Sequence, residues 1–309
     1  MPEGDTIFRS ARALGRALGG RQITGFRSSY PLLTRFHDDT PITGQTVEGV
    51  ESRGKWLMIH FSGGGTLATH MLMSGAWHIY RPGERWQKPP SQARIVIENS
   101  DFHAIGFNVP VAQMHTALSL SRQTRIPQAG RDLLRPDFDA EAAVRRILSY
   151  PGEEFADVLL DQRVLAGIGN VFKSEVCFVA GLNPFRKVAA IAETQVRQAV
   201  EIARRQLALN VLEDSPDAIV TYRGMGRRTT NESDPSASLW VYGRKGEGCR
   251  KCGERILSRL QGFDARVTFW CPRCQPLSGA ERADEQMAEL EGSGGKRAEG
   301  RQHSSGLIG

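Results

Sequence analysis

Four of the five cysteines in this 309-residue chain lie close together near its C-terminal end, and their spacing constrains the fold more than any other feature. They follow the pattern Cys-x2-Cys-x18-Cys-x2-Cys, at Cys249, Cys252, Cys271 and Cys274. Each Cys-x2-Cys pair presents two thiolates from one tight turn, and this paired spacing is typical of a zinc site. The 18 intervening residues suit a β-hairpin that returns to the same ion. Because four thiolates leave no open position for water, we expect one structural Zn²⁺.

Basic residues concentrate in the same region. Between positions 222 and 274 the chain carries 11 Lys and Arg against 5 Asp and Glu, a net charge of +6 that equals the net charge of the whole chain. A basic hairpin held by zinc beside a larger body indicates a surface that binds nucleic acid. A solvated basic face without a partner is the alternative.

The length and composition indicate more than one folded unit. A chain of this length with 40% hydrophobic residues can form two globular bodies and a small module, each with its own core. We find no apolar run of membrane-spanning length and no signal peptide, so we expect a reducing cytoplasm. Aliphatic side chains almost disappear after Leu290, and we therefore predict a disordered C-terminal tail.

The chain begins with the segment Met1-Pro2-Glu3-Gly4. A proline at the second position normally permits removal of the initiator methionine, so we expect Pro2 to present a free secondary amine. A neutral amine that attacks a sugar or carbonyl carbon forms an imine, and the adjacent Glu3 is placed to transfer protons. An ordinary helix start is the alternative, since proline and acidic residues favour the first turn of a helix. Apolar residues at helical spacing predict that helix at Asp5–Leu18.

Short β-rich runs separated by turns, between Ile23 and about His115, predict an antiparallel β-sandwich. Strands are predicted at Trp56–Phe61, Thr66–Leu72, Trp77–Tyr80 and Arg94–Glu98. Lys55 stands at a turn before one strand, and His70 and Met73 lie at the end of another. Taken alone, Lys55 is typical of a solvated surface lysine, and His70 fits a buried core histidine as well as a functional group.

After Thr116 the pattern becomes helical and predicts a second, all-helical body. Helices are predicted at Asp139–Ser149, Phe155–Leu160, Asn170–Ala180 and Glu193–Leu209. Gly167 and Gly169 come directly before the third of these helices, and exposed backbone amides at a helix start bind phosphate. A plain turn between two helices is the alternative.

Together these features resemble the Fpg/Nei family, the formamidopyrimidine-DNA glycosylases and endonuclease VIII enzymes of base-excision repair. The resemblance extends from Met1 to about Gln275. Five segments carry it: Met1–Gly4, Ser52–Lys55, His70–Gly75, Leu159–Asn170 and the end of the hairpin, Arg266–Pro272. It implies an α+β multidomain fold: an N-terminal catalytic β-sandwich with a leading α-helix at residues 1–118, a helix-two-turn-helix domain at 131–225, a zinc β-hairpin at 238–275 and a tail at 276–309.

The same resemblance implies a role for each site residue. Pro2 is then the Schiff-base nucleophile that attacks C1′ of the damaged nucleotide, and Glu3 the acid and base that assists. Lys55 and Arg266 complete the catalytic set by contacting phosphate beside the lesion, and Lys55 also assists protonation. The implied DNA-binding residues are His70, Met73, Gly167, Gly169 and Asn170. The expected partner is damaged double-stranded DNA, bound by a monomer with one zinc ion in the bacterial cytoplasm, associated with the nucleoid.

Two segments bear on the choice of lesion. The segment Ala104-Ile105-Gly106-Phe107-Asn108 does not match the arginine and phenylalanine pair with which the 8-oxoguanine branch fills the vacated space beside Met73. Likewise, Arg227–Asn231 does not resemble that branch's capping loop. These differences favour the endonuclease VIII branch, which prefers oxidised pyrimidines, with strand cleavage by β,δ-elimination. An 8-oxoguanine glycosylase and a non-catalytic zinc-finger DNA-binding relative are the alternatives.

Overall fold

The computed structural model describes residues 2–128, 130–212, 229–230 and 238–277. They form a β-sandwich led by a helix, a group of helices and a short C-terminal hairpin. None of the helices within these ranges has the length and apolar character that a membrane span requires.

The N-terminal part contains eight of the described strands. They are β1 (Gly25–Ser28), β2 (Val47–Arg53), β3 (Trp56–Phe61), β4 (Thr66–His70), β5 (Ala76–Tyr80), β6 (Ala93–Glu98), β7 (His103–Phe107) and β8 (Val111–His115). Two antiparallel four-stranded sheets result, in the orders β2-β3-β4-β8 and β1-β6-β7-β5. Leu57 and Ile59 of the first sheet and Ile95 and Ile97 of the second belong to one hydrophobic core. The predicted β-sandwich is therefore confirmed.

Two helices accompany the sandwich. Helix α1 (Gly4–Leu18) buries its apolar face, which includes Ile7 and Leu14, in the same core, and it also contacts the last of the described helices. The prediction placed its start one residue later. Helix α2 (Pro31–Asp39) was not predicted, because Leu33 is its only buried residue and the segment has too few apolar positions to show a period.

The helical part consists of α3 (Ala117–Ser121), α4 (Ala140–Leu148), α5 (Phe155–Leu160), α6 (Asn170–Val179) and α7 (Glu193–Leu212). Helix α6 lies at its centre, since each of its residues from Asn170 to Phe178 is buried. It contacts α5, α7 and the hairpin. The helix is therefore interior on all sides, although four of its buried residues are polar or charged, and its start, Asn170, agrees with the predicted start.

The hairpin pairs β9 (Leu257–Gln261) with β10 (Arg266–Trp270), with Arg266 opposite Gln261. Its core is small and consists of Val241, Ile256 and two of the cysteines packed against Phe178 of α6. A second anchor is polar. The buried Glu175 of α6 accepts hydrogen bonds from three consecutive backbone amides, at residues 240 to 242, between 2.8 and 2.9 Å.

Parts of the sequence-based account lie outside the described residues. These are the basic segment Thr221–Arg228, most of Arg227–Asn231 and nearly all of the predicted tail at 276–309. The domain boundaries at 118, 131, 225, 238 and 275 stay predictions.

Candidate active site

Glu3 connects the N-terminus to the centre of the helical part. Its side chain is fully buried and accepts hydrogen bonds from three backbone amides, those of Gly169 (3.0 Å), Val171 (2.9 Å) and Phe172 (3.3 Å). These amides form the start of α6. The first amides of a helix have no acceptor within the helix and carry partial positive charge, so they favour a carboxylate. Three hydrogen bonds therefore hold the carboxylate of Glu3, the residue that follows Pro2, in one position.

Glycines make this close approach possible. The Gly4 amide donates to the Gly167 carbonyl oxygen at 2.8 Å, and a Cβ on Gly4 would lie 2.7 Å from the Gly167 Cα. Gly167 has a φ of +105°, a conformation that side-chain-bearing residues rarely adopt. The Gln162 side chain closes the loop, because it accepts from the Gly167 amide at 3.1 Å and donates to the Ile168 carbonyl at 2.9 Å. The loop before α6 is thus shaped to receive the N-terminal residues.

The role expected for the two loop glycines differs from what the structure shows. The sequence predicts that Gly167 and Gly169 offer backbone amides to phosphate, but both amides already have acceptors within the chain. Gly169 donates to Glu3, and Gly167 donates to Gln162. The carboxylate that occupies the helix start lies 166 positions away in sequence, which no local pattern reveals. These glycines provide space for the N-terminus rather than free amides.

Replacing Gly169 with alanine tests the fit around Glu3. The added Cβ would lie 2.3 Å from the Glu3 Cδ, so the carboxylate must move away from the α6 amides. A displacement of about 1 Å in a catalytic group costs roughly a hundredfold in rate. We therefore expect a loss of that size in the strand-cleavage activity that the family resemblance implies, measured under single-turnover conditions. Gly152→Ala is the matched control, since nothing lies within 4 Å of its Cβ position and it should keep wild-type rates. Equal rates for both variants would contradict the inferred importance of this contact.

One cavity of about 470 Å³ brings together most of the predicted site. Its lining includes Pro2, Lys55, His70, Met73, Asn170 and Arg266. These six residues come from the N-terminus, the β2–β3 turn, the end of β4 and its following loop, the start of α6 and the start of β10. The cavity therefore lies where the sandwich, the helices and the hairpin meet.

Lys55 stands on a turn that is anchored across this junction. The preceding Gly54 has a φ of +59°, and its amide donates to Asp132 Oδ2 at 2.7 Å. Asp132 is buried in the segment that leads into the helices, and burial raises the pKa of its carboxyl group. A Cβ on Gly54 would lie 3.0 Å from the Cβ of Ala166. The position of Lys55 is therefore set by the helical part as well as by its own sheet.

His70 ends β4 and holds the loop that follows. Its Nδ1 accepts a hydrogen bond from the Leu72 amide at 3.1 Å, which leaves Nε2 to carry the proton of the neutral ring. Burial, assisted by the positive charge of Lys55, lowers the pKa of His70 to about 4, so the ring is neutral at physiological pH. Leu72 has a φ of +44°, and it and Met73 are 47% and 75% exposed. The loop thus presents two apolar side chains at the cavity.

Asn170 and Arg266 form the opposite side of the cavity. The Asn170 Nδ2 donates to the Val267 carbonyl oxygen at 2.8 Å, while its buried Oδ1 has no partner among the described residues. The Arg266 guanidinium lies 3.7 Å from a carboxylate oxygen of Asp264, and its side chain is 42% exposed. Helix α6 and the hairpin are thus joined at the cavity, and Arg266 keeps much of its charge available to a ligand.

The sequence did not predict that Lys173, next to the side of the cavity formed by Asn170 and Arg266, is buried. Lys173, one turn after Asn170, is fully buried and donates to Thr268 Oγ1 at 2.6 Å. Thr268 in turn donates to Gln261, whose amide group donates to Glu154. Burial lowers the pKa of Lys173 to about 8. Lysine is almost never fully buried unless it is paired, so the sequence alone predicts that Lys173 lies on the surface. The one sequence signal against this prediction is its position in a helix whose other residues are mostly apolar or small.

The four cysteines predicted as metal ligands lie together. Their sulfur atoms are all within 4.8 Å of one another. The Cys249–Cys274 and Cys252–Cys271 sulfur pairs are separated by 3.9 and 3.5 Å, close to the roughly 3.8 Å between thiolates around a tetrahedral zinc ion. The cluster could therefore hold a metal ion with four thiolate ligands.

Two family models match the chain. The formamidopyrimidine-DNA glycosylase N-terminal domain matches residues 1–110, and the formamidopyrimidine-DNA glycosylase H2TH domain matches residues 129–216. The first match contains Pro2, Glu3, Lys55 and the loop after β4. The second contains the loop and helix that bind Glu3.

Curated relatives match over most of their length. A probable endonuclease 8 2 of Streptomyces coelicolor is 37% identical over 279 residues, covering 89% of this chain and 94% of the relative. The DNA-(apurinic or apyrimidinic site) lyase Nei2 of Mycolicibacterium smegmatis is 36% identical over 281 residues, covering 90% of this chain and all of the relative. Endonuclease 8 of Escherichia coli is 30% identical over 280 residues, covering 89% and 100%.

Solved structures with the same fold include the Lactococcus lactis Fpg in complex with DNA that contains an abasic site. It superimposes with a TM-score of 0.72 at 21% identity, covering 89% of this chain and all of that structure. The fold of the described residues is therefore the Fpg-like fold.

Proposed function

The chain belongs to the formamidopyrimidine-DNA glycosylase family, which includes the endonuclease VIII enzymes, and from this premise we propose a bifunctional DNA glycosylase and AP lyase of base-excision repair. The observation that carries the proposal is the placement of Pro2 at a cavity edged by basic and polar side chains, directly beside Glu3, which the amides at the start of α6 hold. The names of the curated relatives, endonuclease 8 and DNA-(apurinic or apyrimidinic site) lyase, support the same activity.

The chemistry begins at the Pro2 nitrogen. Once Met1 is removed, this secondary amine attacks C1′ of the damaged nucleotide, the glycosidic bond breaks, and the base departs with a proton. The sugar ring then opens: O4′ takes a proton, the C1′–O4′ bond breaks, and the Pro2 nitrogen and C1′ form an iminium, which acidifies the C2′ hydrogen. Loss of that proton expels the 3′ phosphate, and a second elimination expels the 5′ phosphate. Glu3, held beside Pro2 by the α6 amides, is placed to transfer protons in these steps.

Four side chains around the cavity suit the phosphates of a bent DNA strand. Lys55 and Arg266 supply positive charge, while neutral His70 can donate a hydrogen bond from Nε2 and Asn170 from the second hydrogen of Nδ2. Rotation of a nucleotide out of the helix costs a few kcal/mol, and such contacts offset that cost. Leu72 and Met73 supply apolar surface for the space that the nucleotide leaves.

If Lys55 and Arg266 bind DNA phosphates, removing either positive charge should make the DNA affinity depend less on salt concentration. Lys55→Ala and Arg266→Ala should each reduce the slope of log affinity against log salt by about 1, because each releases about one fewer counterion. Arg35→Ala is the matched control, since Arg35 is 82% exposed on α2 and paired with Asp39 in its own helix. Titrations on an abasic-analogue duplex measure the slopes. An unchanged slope for both test variants would remove these side chains from the interface.

The cysteine cluster is assigned one structural Zn²⁺. Four thiolates suit zinc and close its coordination sphere, so the ion contributes fold stability to the hairpin and holds Arg266 at the cavity. Because the zinc has no open coordination position, the cavity residues carry out the reaction.

Oxidised pyrimidines are the proposed lesions. The residues at positions 104 to 107 lie in β7, the interior strand between β5 and β6, and all four are buried. Phe107 is therefore part of the sheet core and unable to enter a gap in DNA. The exposed apolar side chains that line the same cavity as Pro2 are Leu72 and Met73, without the arginine and phenylalanine of the 8-oxoguanine branch. The endonuclease 8 names of the relatives agree with this choice.

Borohydride trapping tests the proposed activity. Purified protein is incubated with duplexes that carry thymine glycol, 8-oxoguanine or an abasic site, and borohydride reduces any imine to a stable adduct. We expect adducts with the abasic and thymine-glycol duplexes, and less with 8-oxoguanine. DNA binding without adduct or strand cleavage would support a non-catalytic relative instead, and faster turnover of 8-oxoguanine would reverse the choice of lesion.

A further inference from the structure

An exposed phenylalanine stands at the tip of the hairpin. Phe263 lies in the turn between β9 and β10, and its side chain is fully exposed, at 106% of the reference area. It belongs to none of the hydrophobic clusters formed by the described residues. An aromatic ring that contributes nothing to the core leaves a large apolar area in water. This exposure indicates that the Phe263 ring contacts another molecule.

Other apolar side chains of the hairpin are exposed with it. Leu260 of β9 is 63% exposed, and Val267, its direct partner on β10, is 38% exposed. Directly opposed residues of antiparallel strands lie on the same face of the pair. Single exposed apolar residues are common, whereas a group on one small module marks an interaction surface.

The turn that carries Phe263 is fixed in position. The preceding Gly262 has a φ of +68°, and a Cβ there would lie 2.5 Å from a carboxylate oxygen of Asp157 on α5. The ring therefore projects from a turn packed closely on the helical part. Two residues that follow it, Asp264 and Arg266, line the cavity that contains Pro2.

The positive charge around the hairpin and the position of Phe263 beside the cavity indicate the kind of partner. From Cys249 to Cys274 the chain carries six Lys and Arg against two Asp and Glu, which favours a polyanionic partner over an apolar surface. The ring is also continuous in sequence with the residues that line the cavity. A basic groove with a projecting aromatic side chain is the combination that binds bases without reading their sequence.

We propose that Phe263 stacks on a DNA base that has left the helical stack beside the lesion, so that DNA with unpaired bases at the site is bound more tightly than fully paired DNA. This inference rests on the proposed function. In paired DNA each base is covered on both faces by its neighbours, and a phenyl ring finds no free face. In an unpaired region one face is open, and stacking there accepts any base.

Binding to two abasic-analogue DNAs tests this proposal. Both carry a tetrahydrofuran residue in place of the lesion, one within an otherwise paired duplex and one within a short unpaired bubble. Phe263→Ala should weaken binding of the full, zinc-loaded protein to the bubble about tenfold and to the paired duplex by less than about twofold. Phe263→Trp should keep the bubble affinity. Leu32→Ala is the matched control, because Leu32 is 81% exposed on α2, and both affinities should stay unchanged.

Equal losses of affinity on both DNAs, or no loss on either, would overturn the stacking role. Loss in Phe263→Trp equal to that in Phe263→Ala would do the same. Borohydride trapping of the wild-type protein on an abasic duplex separates the two levels of inference. An adduct together with unchanged Phe263→Ala binding removes only this proposal, whereas neither adduct nor DNA binding removes the proposed function as well.

Discussion

Glu3→Gln is expected to lower the rate of base excision by roughly two to four orders of magnitude, the usual contribution of a general acid and base. Glutamine has nearly the same shape, but only one of its two terminal atoms accepts hydrogen bonds. In the wild-type protein one carboxylate oxygen accepts from Val171 and the other from Gly169 and Phe172. The substitution therefore also turns one of these buried contacts into a donor facing a donor, at a cost of about 1–3 kcal/mol.

Two substrates separate the effects of this change. Excision from a thymine-glycol duplex requires both proton transfer to the base and attack at C1′, whereas a preformed abasic site requires only imine formation and elimination. We expect a larger loss on the first substrate in single-turnover measurements. Glu48→Gln is the matched control, because Glu48 is exposed in β2. Wild-type excision by Glu3→Gln would show that the buried carboxylate is structural.

Removing the metal or one ligand is expected to abolish high-affinity DNA binding while the rest of the molecule stays folded. The hairpin core contains few residues, and structural zinc supplies about 10–16 kcal/mol in comparable small modules. Without it, Arg266 loses its fixed position at the cavity. The sandwich and the helical part have large cores of their own, which include no cysteine ligand. The loss should therefore be local.

Cys271→Ser and treatment with a strong zinc chelator provide the measurement. Metal analysis should give one zinc per wild-type chain and much less for Cys271→Ser, together with a loss of affinity for abasic-analogue DNA and a main unfolding transition that persists. Cys177→Ala is the control, because Cys177 is buried in the helical core and lies outside the cluster. It should retain the zinc. Full DNA affinity in metal-free protein would contradict the structural role of the ion.

Local patterns predicted the elements of this fold well. The strand at Trp56–Phe61 and the helix at Phe155–Leu160 match the structure at both ends, because mainly apolar runs bounded by polar turns mark their own limits. The cysteine spacing predicted the clustered sulfur atoms, since two tight turns can converge on one point. Helix α2 was missed because it is mostly exposed and carries almost no hydrophobic period.

Contacts between distant segments could not be predicted from local patterns. The hydrogen bonds of Glu3 to the start of α6 join residues 166 positions apart, and they reassign the Gly169 amide from phosphate to the protein itself. Lys173 is similar, since the sequence predicts a solvent-facing lysine, whereas in the structure it is buried and donates to Thr268 of the hairpin, 95 positions away. The roles of Pro2, Lys55 and Arg266 came from the family motifs, while the cavity that they share is lined by residues from the sandwich, the helical part and the hairpin.

The location of the covalent bond is the most direct test of the account. A borohydride-trapped complex with abasic DNA is digested, and mass spectrometry identifies the peptide that carries the sugar. The account predicts that the sugar is attached to the nitrogen of Pro2, on a peptide from which Met1 is absent. A sugar attached to Lys55, Lys173 or another side-chain amine, or full strand cleavage by protein that retains Met1, would contradict it.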